Sequence, residues 1–218
     1  MQSLTPLAKL TPENAYIFRI THRRNLPWIL RNGLWAPSAQ MQDPDFVPIG
    51  IPELIDSRSQ RLVPLPPGGT LADYVPFYFT PYSPMLLNIV TGRNVPRQSK
   101  ADIVILVSSL HRVHSAGRSF VFTDRHANLD ASSFSCALND LPHMVPWSLL
   151  QARDFKKDPE NPDKSERYQA EALVHEHVPT DALMGVVAYN REAAEEIRQH
   201  AAQSSLDLPV QERPKWFF

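Results

Sequence analysis

The sequence predicts an α+β protein. Segments typical of strands and of short helices follow one another without the strict alternation that a parallel α/β sheet requires. Of the 218 residues, 43% are hydrophobic, which suffices for one substantial core, so we expect a single domain over residues 1–218. Proline outnumbers glycine by 21 to 7 and is spread along the chain, which indicates many short elements joined by stiff, ordered loops.

The first elements can be placed from local signals. Residues 16–20 are aromatic and branched, which favours a strand. A helix should follow, with Asn25 as its cap, Pro27 in its first turn and Gly33 at its end. Residues 36–73 form a proline-rich excursion, and ordered loops of that length usually serve a function.

The middle of the chain combines three predicted strands with one short helix. We predict strands at 75–79, 103–107 and 119–123, of which 103–107 is the most strongly apolar. Pro84 begins a helix that runs to about Val90.

The last third contains one strongly charged segment. Residues 151–168 mix both charges and are expected to be a surface loop. Strands are predicted at 169–174 and 184–188, and an amphipathic helix at 191–203. The apolar tail, residues 214–218, should dock on the body of the protein.

Charge and composition exclude several classes of protein. The formal net charge of -1 provides no general attraction for nucleic acid, so such binding would need a local basic patch. The single cysteine, Cys136, excludes an internal disulfide framework and a cysteine-rich zinc site. Residues 1–16 lack the pattern of a secretory signal, and no apolar stretch is long enough to span a membrane. We therefore expect a soluble, cytoplasmic protein without membrane contact.

The predicted strand at 169–174 carries a rigidly placed carboxylate. Because alternate strand residues point to opposite faces, Ala170, Ala172 and Val174 share an apolar face, whereas Gln169 and Glu171 share the other. A fixed carboxylate suits a reaction that develops positive charge, such as the loss of nicotinamide from NAD, which leaves an oxocarbenium-like ribose. The alternative is an edge strand with a polar outer face.

Two further side chains could complete such a site. His22 directly follows the first strand and could donate to a ribose hydroxyl or an amide; the alternative is a histidine in a surface turn. Tyr78 should point away from Phe77 and Phe79, where its ring could stack on nicotinamide, unless it is ordinary packing. The histidine pairs at 111/114 and 175/177 lack a carboxylate or cysteine at suitable spacing, so we predict no metal. No phosphate-binding glycine loop is present, so NAD would have to be held without one.

Six segments together resemble one known family. They are THRRNLPWILRNGL, IGIPELIDSRSQRLV, GGTLADYVPFYFTPYSPML, FVFTDRHA, YQAEALV and RPKWFF. They resemble the DarT family of DNA ADP-ribosyltransferase toxins. This resemblance implies the ADP-ribosyltransferase fold, a mixed or antiparallel split sheet with peripheral helices, and NAD+ as co-substrate without a metal.

The resemblance also implies roles for particular residues. His22 and Tyr78 match the first two motif residues, and Glu171 matches the catalytic glutamate. Thr21 and Asn25 accompany His22 in the predicted NAD+ site. Arg58 is the best match to the active-site arginine, as a catalytic and NAD+-contacting residue.

Contacts to DNA are implied for a second set of residues. A shift in alignment register would make Arg61 the acceptor-side arginine instead of Arg58. Arg125 and His126 follow a predicted strand and would border the substrate groove. Lys156 and Lys157 lie in the loop before the glutamate strand, a position that helps to choose the acceptor in ADP-ribosyltransferases. The alternative for these residues is an ordinary turn and a solvated loop.

The function implied is that of a toxin. It would transfer ADP-ribose from NAD+ to a base in single-stranded DNA, with thymine favoured, and release nicotinamide. Its partner would be a macrodomain antitoxin, and the enzyme itself would be a monomer. The alternatives keep the fold but change the acceptor to guanine in DNA, an RNA end or a protein, or remove catalysis and leave a nucleotide-binding module.

Overall fold

The computed structural model describes residues 7–218 and has an α+β architecture, as the sequence predicts. The first six residues of the segment for which we predicted no secretory signal lie outside this description. Helices pack around one large sheet and are short except for the last. They are α1 Leu26–Asn32, α2 Pro52–Arg58, α3 Pro84–Thr91, α4 Leu110–Ser115, α5 Leu141–Met144, α6 Trp147–Ala152, α7 Lys164–Arg167 and α8 Arg191–Gln203.

The strands form an eight-stranded sheet and a two-stranded ribbon. They are β1 Tyr16–His22, β2 Leu34–Trp35, β3 Tyr74–Tyr78, β4 Ile103–Ser109, β5 Phe120–Thr123, β6 Phe134–Ser135, β7 Glu171–His175, β8 His177–Val178, β9 Gly185–Ala188 and β10 Val210–Glu212. The large sheet has the order β10-β9-β4-β1-β3-β7-β5-β6, and β2 pairs with β8. All neighbours in the large sheet are antiparallel except β9 and β10, so the sheet is mixed.

Most elements lie where local signals predict them. The five strands predicted around 16–20, 75–79, 103–107, 119–123 and 184–188 all form. Every residue of β4 is buried, in keeping with its continuous apolar run. Helix α8 has the predicted bounds and buries Ala193, Ala194 and Ile197. Helix α1 ends before Gly33, whose φ of 77° lies in the left-handed region that glycine favours.

Two segments predicted as loops are more ordered than expected. The 36–73 excursion contains α2 and a bridge between Leu62 and Thr70. The 151–168 segment contains the last turn of α6 and the whole of α7, and its Lys164 and Tyr168 are buried. The surface-loop prediction holds for 153–163, which has neither helix nor strand, but not for Lys164. Lys164 donates to Asp154 (2.9 Å) and Asp158 (3.3 Å), so opposite charges fold the segment on itself.

Two details differ from the prediction: the capping of α1 and the start of the strand that carries Glu171. Asn25 occupies the cap position of α1, but its side chain makes no capping hydrogen bond, because its amide binds Thr21 and Val47 instead. His22 caps the preceding 3-10 turn by accepting from the Arg24 N–H. Gln169 lies before β7 and donates to the Ser165 carbonyl, so it does not share a strand face with Glu171.

The C-terminal tail docks as predicted and closes one face of the sheet. Trp216 and Phe217 are buried, and the Trp216 ring packs edge-on against Phe18, with centroids 5.7 Å apart. Phe18 and Arg19 are neighbours on β1 and point to opposite faces. The tail therefore covers the face opposite to the one that carries Arg19. Within residues 7–218, no helix has both the length and the apolar character needed to cross a bilayer.

Candidate active site

Glu171 lies in the interior of the sheet and not at an edge. It begins β7, between β3 and β5, and its Cα is paired with that of Tyr78. Its backbone N–H donates to the Thr123 hydroxyl (3.1 Å), which fixes the first residue of the strand against β5. The residue is only 2% exposed. The alternative of an edge strand with a polar outer face is therefore wrong.

Both carboxylate oxygens of Glu171 accept hydrogen bonds. Arg58 Nη1 donates to Oε2 (3.0 Å), and the Ala127 backbone N–H donates to Oε1 (3.0 Å). His126 Nδ1 lies 3.9 Å from Oε1. Burial opposes ionisation, but the charge of Arg58, the neighbouring His126 and the hydrogen bond from Ala127 outweigh it and hold the pKa of Glu171 below its usual value. The carboxylate is therefore negatively charged at neutral pH.

Tyr78 stands beside this carboxylate. Phe77 and Phe79 are fully buried in the core, and Tyr78 points to the opposite face, as the strand alternation predicts. Burial and then the negative charge of Glu171 raise the pKa of the Tyr78 hydroxyl above its usual value. The phenol is therefore neutral at neutral pH.

A cavity of about 340 Å³ opens over these residues. Its base is polar and includes Arg19, Arg58, Tyr78, His126 and Glu171. Its walls are largely apolar and come from α1, β2, α2, α3 and the loop between β2 and α2. The larger apolar wall residues are Trp28, Trp35, Phe46, Ile49, Leu54, Ile55 and Met85. A largely apolar cavity with a few convergent polar groups is the usual form of a small-molecule site.

Arg19 is a site residue that the sequence analysis missed. It lies in the middle of β1, and Nη1 donates to the Pro76 carbonyl (2.9 Å). Burial and then the charge of Arg58 lower the pKa of Arg19 to about 10. Among the described residues, no partner lies within hydrogen-bonding distance of Arg19 Nε or Arg58 Nη2, although both atoms are buried. The signal in the sequence was a lone charge inside an aromatic and branched strand.

The predicted NAD+ residues divide into two groups. Thr21, Tyr78 and Arg58 line the cavity together with Glu171. His22 and Asn25 are buried and do not line it. Burial lowers the pKa of His22, whose Nδ1 is already occupied by the Arg24 N–H.

Asn25 supports the site from behind. Its amide donates to the Val47 carbonyl (3.0 Å) and to the Thr21 hydroxyl (3.0 Å), and its oxygen accepts from the Val47 N–H (2.8 Å). Val47 lies between Phe46 and Ile49, which form part of the cavity wall. Asn25 therefore holds this wall in place.

The residues predicted to contact DNA also lie in different surroundings. His126 lines the cavity. Lys156 and Lys157 are exposed between α6 and α7. Arg125 pairs with Asp124 and lies near two further carboxylates, those of Asp163 and Glu166.

Arg61 does not line the cavity. It donates to the Leu129 carbonyl (2.9 Å) and pairs with Asp130 (2.8 Å). Arg58, and not Arg61, is therefore the arginine that reaches Glu171. In the part of the chain that the structure describes, no cluster of three or more histidine, cysteine or acidic side chains could hold a metal ion.

Comparison with known proteins identifies the family. The profile of a family described as ssDNA thymidine ADP-ribosyltransferase, DarT, matches residues 18–218. The chain belongs to the DarT family. One DarT-family relative, the DNA ADP-ribosyl transferase of Escherichia coli O127:H6 (strain E2348/69 / EPEC), is 47% identical over 212 residues, and the match covers 97% of each chain. The resemblance found in the sequence is thus confirmed.

Solved DarT structures share the fold. Thermus sp. 2.9 DarT in complex with ADP-ribosylated ssDNA superposes with a TM-score of 0.85 at 35% identity, over 95% of this chain and 98% of that one. The same protein in complex with NAD+ gives a TM-score of 0.80 at 34% identity, over 95% of this chain and 100% of that one. The predicted ADP-ribosyltransferase fold of the DarT family is therefore confirmed.

Proposed function

We propose that this chain transfers ADP-ribose from NAD+ to thymine in single-stranded DNA and releases nicotinamide. Its membership of the DarT family supports this activity, and its Thermus relative has been solved with NAD+ and with ADP-ribosylated ssDNA. The observation in this chain that carries the proposal is the ionised carboxylate of Glu171, held at the base of the cavity by Arg58 and the Ala127 N–H.

The cavity lining suits a dinucleotide that carries a flat heterocycle. Trp28 and Trp35 provide aromatic surface in the wall, and Tyr78 provides it at the base. The buried N–H groups of Arg19 Nε and Arg58 Nη2 are donors that a bound polar group could satisfy. We assign Thr21, Tyr78 and Arg58 to contact with NAD+, and His22 and Asn25 to support of that surface.

Glu171 supplies the catalytic charge. NAD+ provides the ADP-ribosyl group and a nicotinamide leaving group, whose departure leaves positive charge on the ribose. Glu171 stabilises this charge without reorganising, because its two hydrogen bonds already fix it in a site shielded from water. Tyr78 limits solvent access on one side of the carboxylate and remains neutral there.

Arg58 is placed to act on the acceptor. Nη1 donates to Glu171, and Nη2 has no partner within residues 7–218, so the guanidinium can bind a base edge while it still orients the carboxylate. The accepting nitrogen forms its bond to the ribose carbon as the bond from that carbon to nicotinamide breaks, and the proton that the nitrogen loses passes to solvent water. A base inside a duplex cannot reach a carboxylate that is 2% exposed, so an unpaired base in a single strand is the natural acceptor.

We further propose a cellular setting for this reaction. The enzyme would act as a monomer in the cytoplasm, as a toxin controlled by a macrodomain antitoxin that removes ADP-ribose from DNA. His126, which lines the cavity, and the exposed Lys156 and Lys157 are the remaining candidates for DNA contact. Expression in the presence and absence of a macrodomain hydrolase tests the toxin assignment: rescue of growth only by the active hydrolase supports it.

The central experiment uses NAD+ labelled in the adenylate portion. Wild-type protein and Glu171→Gln are incubated with a thymine-containing oligonucleotide, the same strand without thymine, its duplex, an RNA and bulk protein. We expect label only on the thymine-containing single strand, and a loss on the order of a hundredfold or more in Glu171→Gln. Mass spectrometry of the nucleosides identifies the base. Label on guanine, on RNA ends or on protein would replace thymine with that acceptor, and no label on any of them would refute transfer.

A further inference from the structure

Two separate segments hold the Glu171 carboxylate, and these segments are also bonded to each other. Arg58, at the end of α2, binds Oε2, and the Ala127 N–H, in the loop after β5, binds Oε1. Asn128 Nδ2 donates to the Ser57 hydroxyl (2.9 Å). Because Ser57 precedes Arg58 and Asn128 follows Ala127, these hydrogen bonds close a ring that begins and ends at Glu171.

The members of this ring have fixed orientations. The Ser57 hydroxyl donates to the Leu54 carbonyl (2.9 Å), which leaves its oxygen to accept from Asn128. The Asn128 backbone N–H donates to His126 Nδ1 (3.2 Å). Asn128 therefore contacts α2 through its side chain and orients the cavity-lining histidine through its backbone.

Arg61 makes a second connection between the same two segments. Nη2 donates to the Leu129 carbonyl (2.9 Å), and Nη1 pairs with Asp130 (2.8 Å). The Asp130 side chain is fully exposed, so its ion pair contributes little, and the partly buried hydrogen bond to Leu129 is the stronger link. Arg61 thus links two segments of the chain, whereas the sequence suggested that it contacts DNA.

We propose that Asn128 and Arg61 are positioning residues that lock α2 to the loop after β5, so that Arg58 and Ala127 hold the Glu171 carboxylate as one unit. The kinetic part of this inference rests on the proposed function. Opening the ring lets the carboxylate rotate away from the reacting ribose, although the cavity walls formed by α1, β2 and α3 keep their shape. The turnover number should therefore fall by a larger factor than the KM for NAD+ rises.

A double-mutant cycle tests the ring. Asn128→Ala and Ser57→Ala should each lower kcat about tenfold. The double variant should be no slower than the worse single variant, because one break already opens the ring. Ser57→Thr keeps the hydroxyl and should retain wild-type kcat. Fully additive losses, or a loss in Ser57→Thr equal to that in Ser57→Ala, would contradict the proposal.

Arg61→Ala has a matched control. Arg112 also joins two segments through a backbone carbonyl, that of Asp181, but neither of these segments binds the Glu171 carboxylate. Arg61→Ala should lower kcat, and Arg112→Ala should not. The salt dependence of the KM for DNA should be the same in Arg61→Ala and wild type, because Arg61 makes no phosphate contact. A shallower salt dependence in Arg61→Ala would assign the residue to DNA and refute its positioning role.

A titration without substrate separates this inference from the proposed function. The carboxyl carbon of Glu171 can be followed by NMR and assigned by its loss in Glu171→Gln. Its charged and titratable neighbours are Arg58 on α2, His126 in the loop and Tyr78 on β3. The Glu171 pKa should rise in Asn128→Ala, since the contacts of Arg58 and the Ala127 N–H with the carboxylate loosen. An unchanged pKa would contradict the proposed role of the ring. Failure of the wild type to modify DNA would refute the function and leave this titration valid.

Discussion

At the scale of single residues, Glu171 shows how a carboxylate can be nearly fully buried and still ionised. Desolvation raises its pKa, but one guanidinium and one backbone N–H bind its two oxygens directly. The same contacts that keep the carboxylate ionised also fix its orientation. Arg58 serves both purposes through Nη1, while its buried Nη2 has no hydrogen-bond partner among the described residues.

The lowered pKa of Glu171 predicts a pH-dependent contribution to stability. Because the folded pKa lies below the unfolded value of about 4.3, ionisation stabilises the fold above that pH, and the contribution is lost as the pH falls through the folded pKa. The difference in free energy of unfolding between wild type and Glu171→Gln should be constant above about pH 5.5 and decrease below about pH 4.3. Urea titrations at a series of pH values measure it, and a difference independent of pH would contradict the assignment.

Tyr78 should contribute its ring and not an ionised oxygen. Since burial keeps the phenol neutral, Tyr78→Phe should bind NAD+ with nearly wild-type affinity. Tyr78→Ala should weaken binding by about 1 kcal/mol through the loss of one stacking surface. Calorimetric titration with NAD+ compares the two variants. If Tyr78→Ala lowers only the melting temperature and leaves affinity unchanged, Tyr78 is packing.

At the scale of elements, the loop between β2 and α2 forms a wall without having regular structure of its own. Asn25 compensates by binding both backbone polar groups of Val47, so that Phe46 and Ile49 face the cavity. Phe46 nevertheless keeps 49% of its surface exposed, as expected for a wall at the mouth of a site. The buried side-chain amide of Asn25, at the cap position of α1, thus satisfies the loop backbone at Val47 in the way that a neighbouring strand would.

Asn25→Ala should therefore damage both stability and NAD+ binding. The loss of three hydrogen bonds at a buried position should cost about 2 kcal/mol of unfolding free energy and should raise the Kd for NAD+. Asn14→Ala is the control, because its amide binds Lys9 and Thr11 near the surface and should cost less than about 0.5 kcal/mol. An unchanged Kd in Asn25→Ala would show that the loop does not need this anchor.

At the scale of the whole molecule, the two faces of the large sheet have different roles. One face carries the cavity, and the other is covered in part by the C-terminal tail. Phe18 and Arg19 illustrate the division, since consecutive residues of β1 contribute one to each face. Changes on the tail side should affect folding without changing the site.

Phe217→Ala tests this separation. Phe217 is completely buried and packs against Tyr189, so its truncation should cost about 3 kcal/mol of unfolding free energy. The Kd for NAD+ of the folded fraction should remain that of the wild type. Leu62→Ala, at a position that is 70% exposed, should be neutral within about 0.5 kcal/mol. A weakened Kd in Phe217→Ala would show that the two faces are coupled.

Local pattern was sufficient for several of the main elements of the fold. The branched and aromatic runs that become β1, β3 and β4 are each readable on their own, and so is the amphipathic pattern of α8. Strand alternation also placed Tyr78 on the face opposite Phe77 and Phe79. It failed for Gln169, because the strand begins two residues later than its sequence suggests and tertiary contacts set that boundary.

The sequence by itself determined the fold class and the family, and it named Glu171, Tyr78 and Arg58 among the candidates for the site, because these follow from short sequence motifs. Tertiary structure decided which of the candidates meet. It brought Arg58 to Glu171 across 113 positions of the chain, sent Arg61 to Leu129, and supplied a backbone donor, Ala127, that no side-chain pattern can reveal. Contacts between distant segments depend on how loops close over the sheet, and that closure is set by packing of the whole chain.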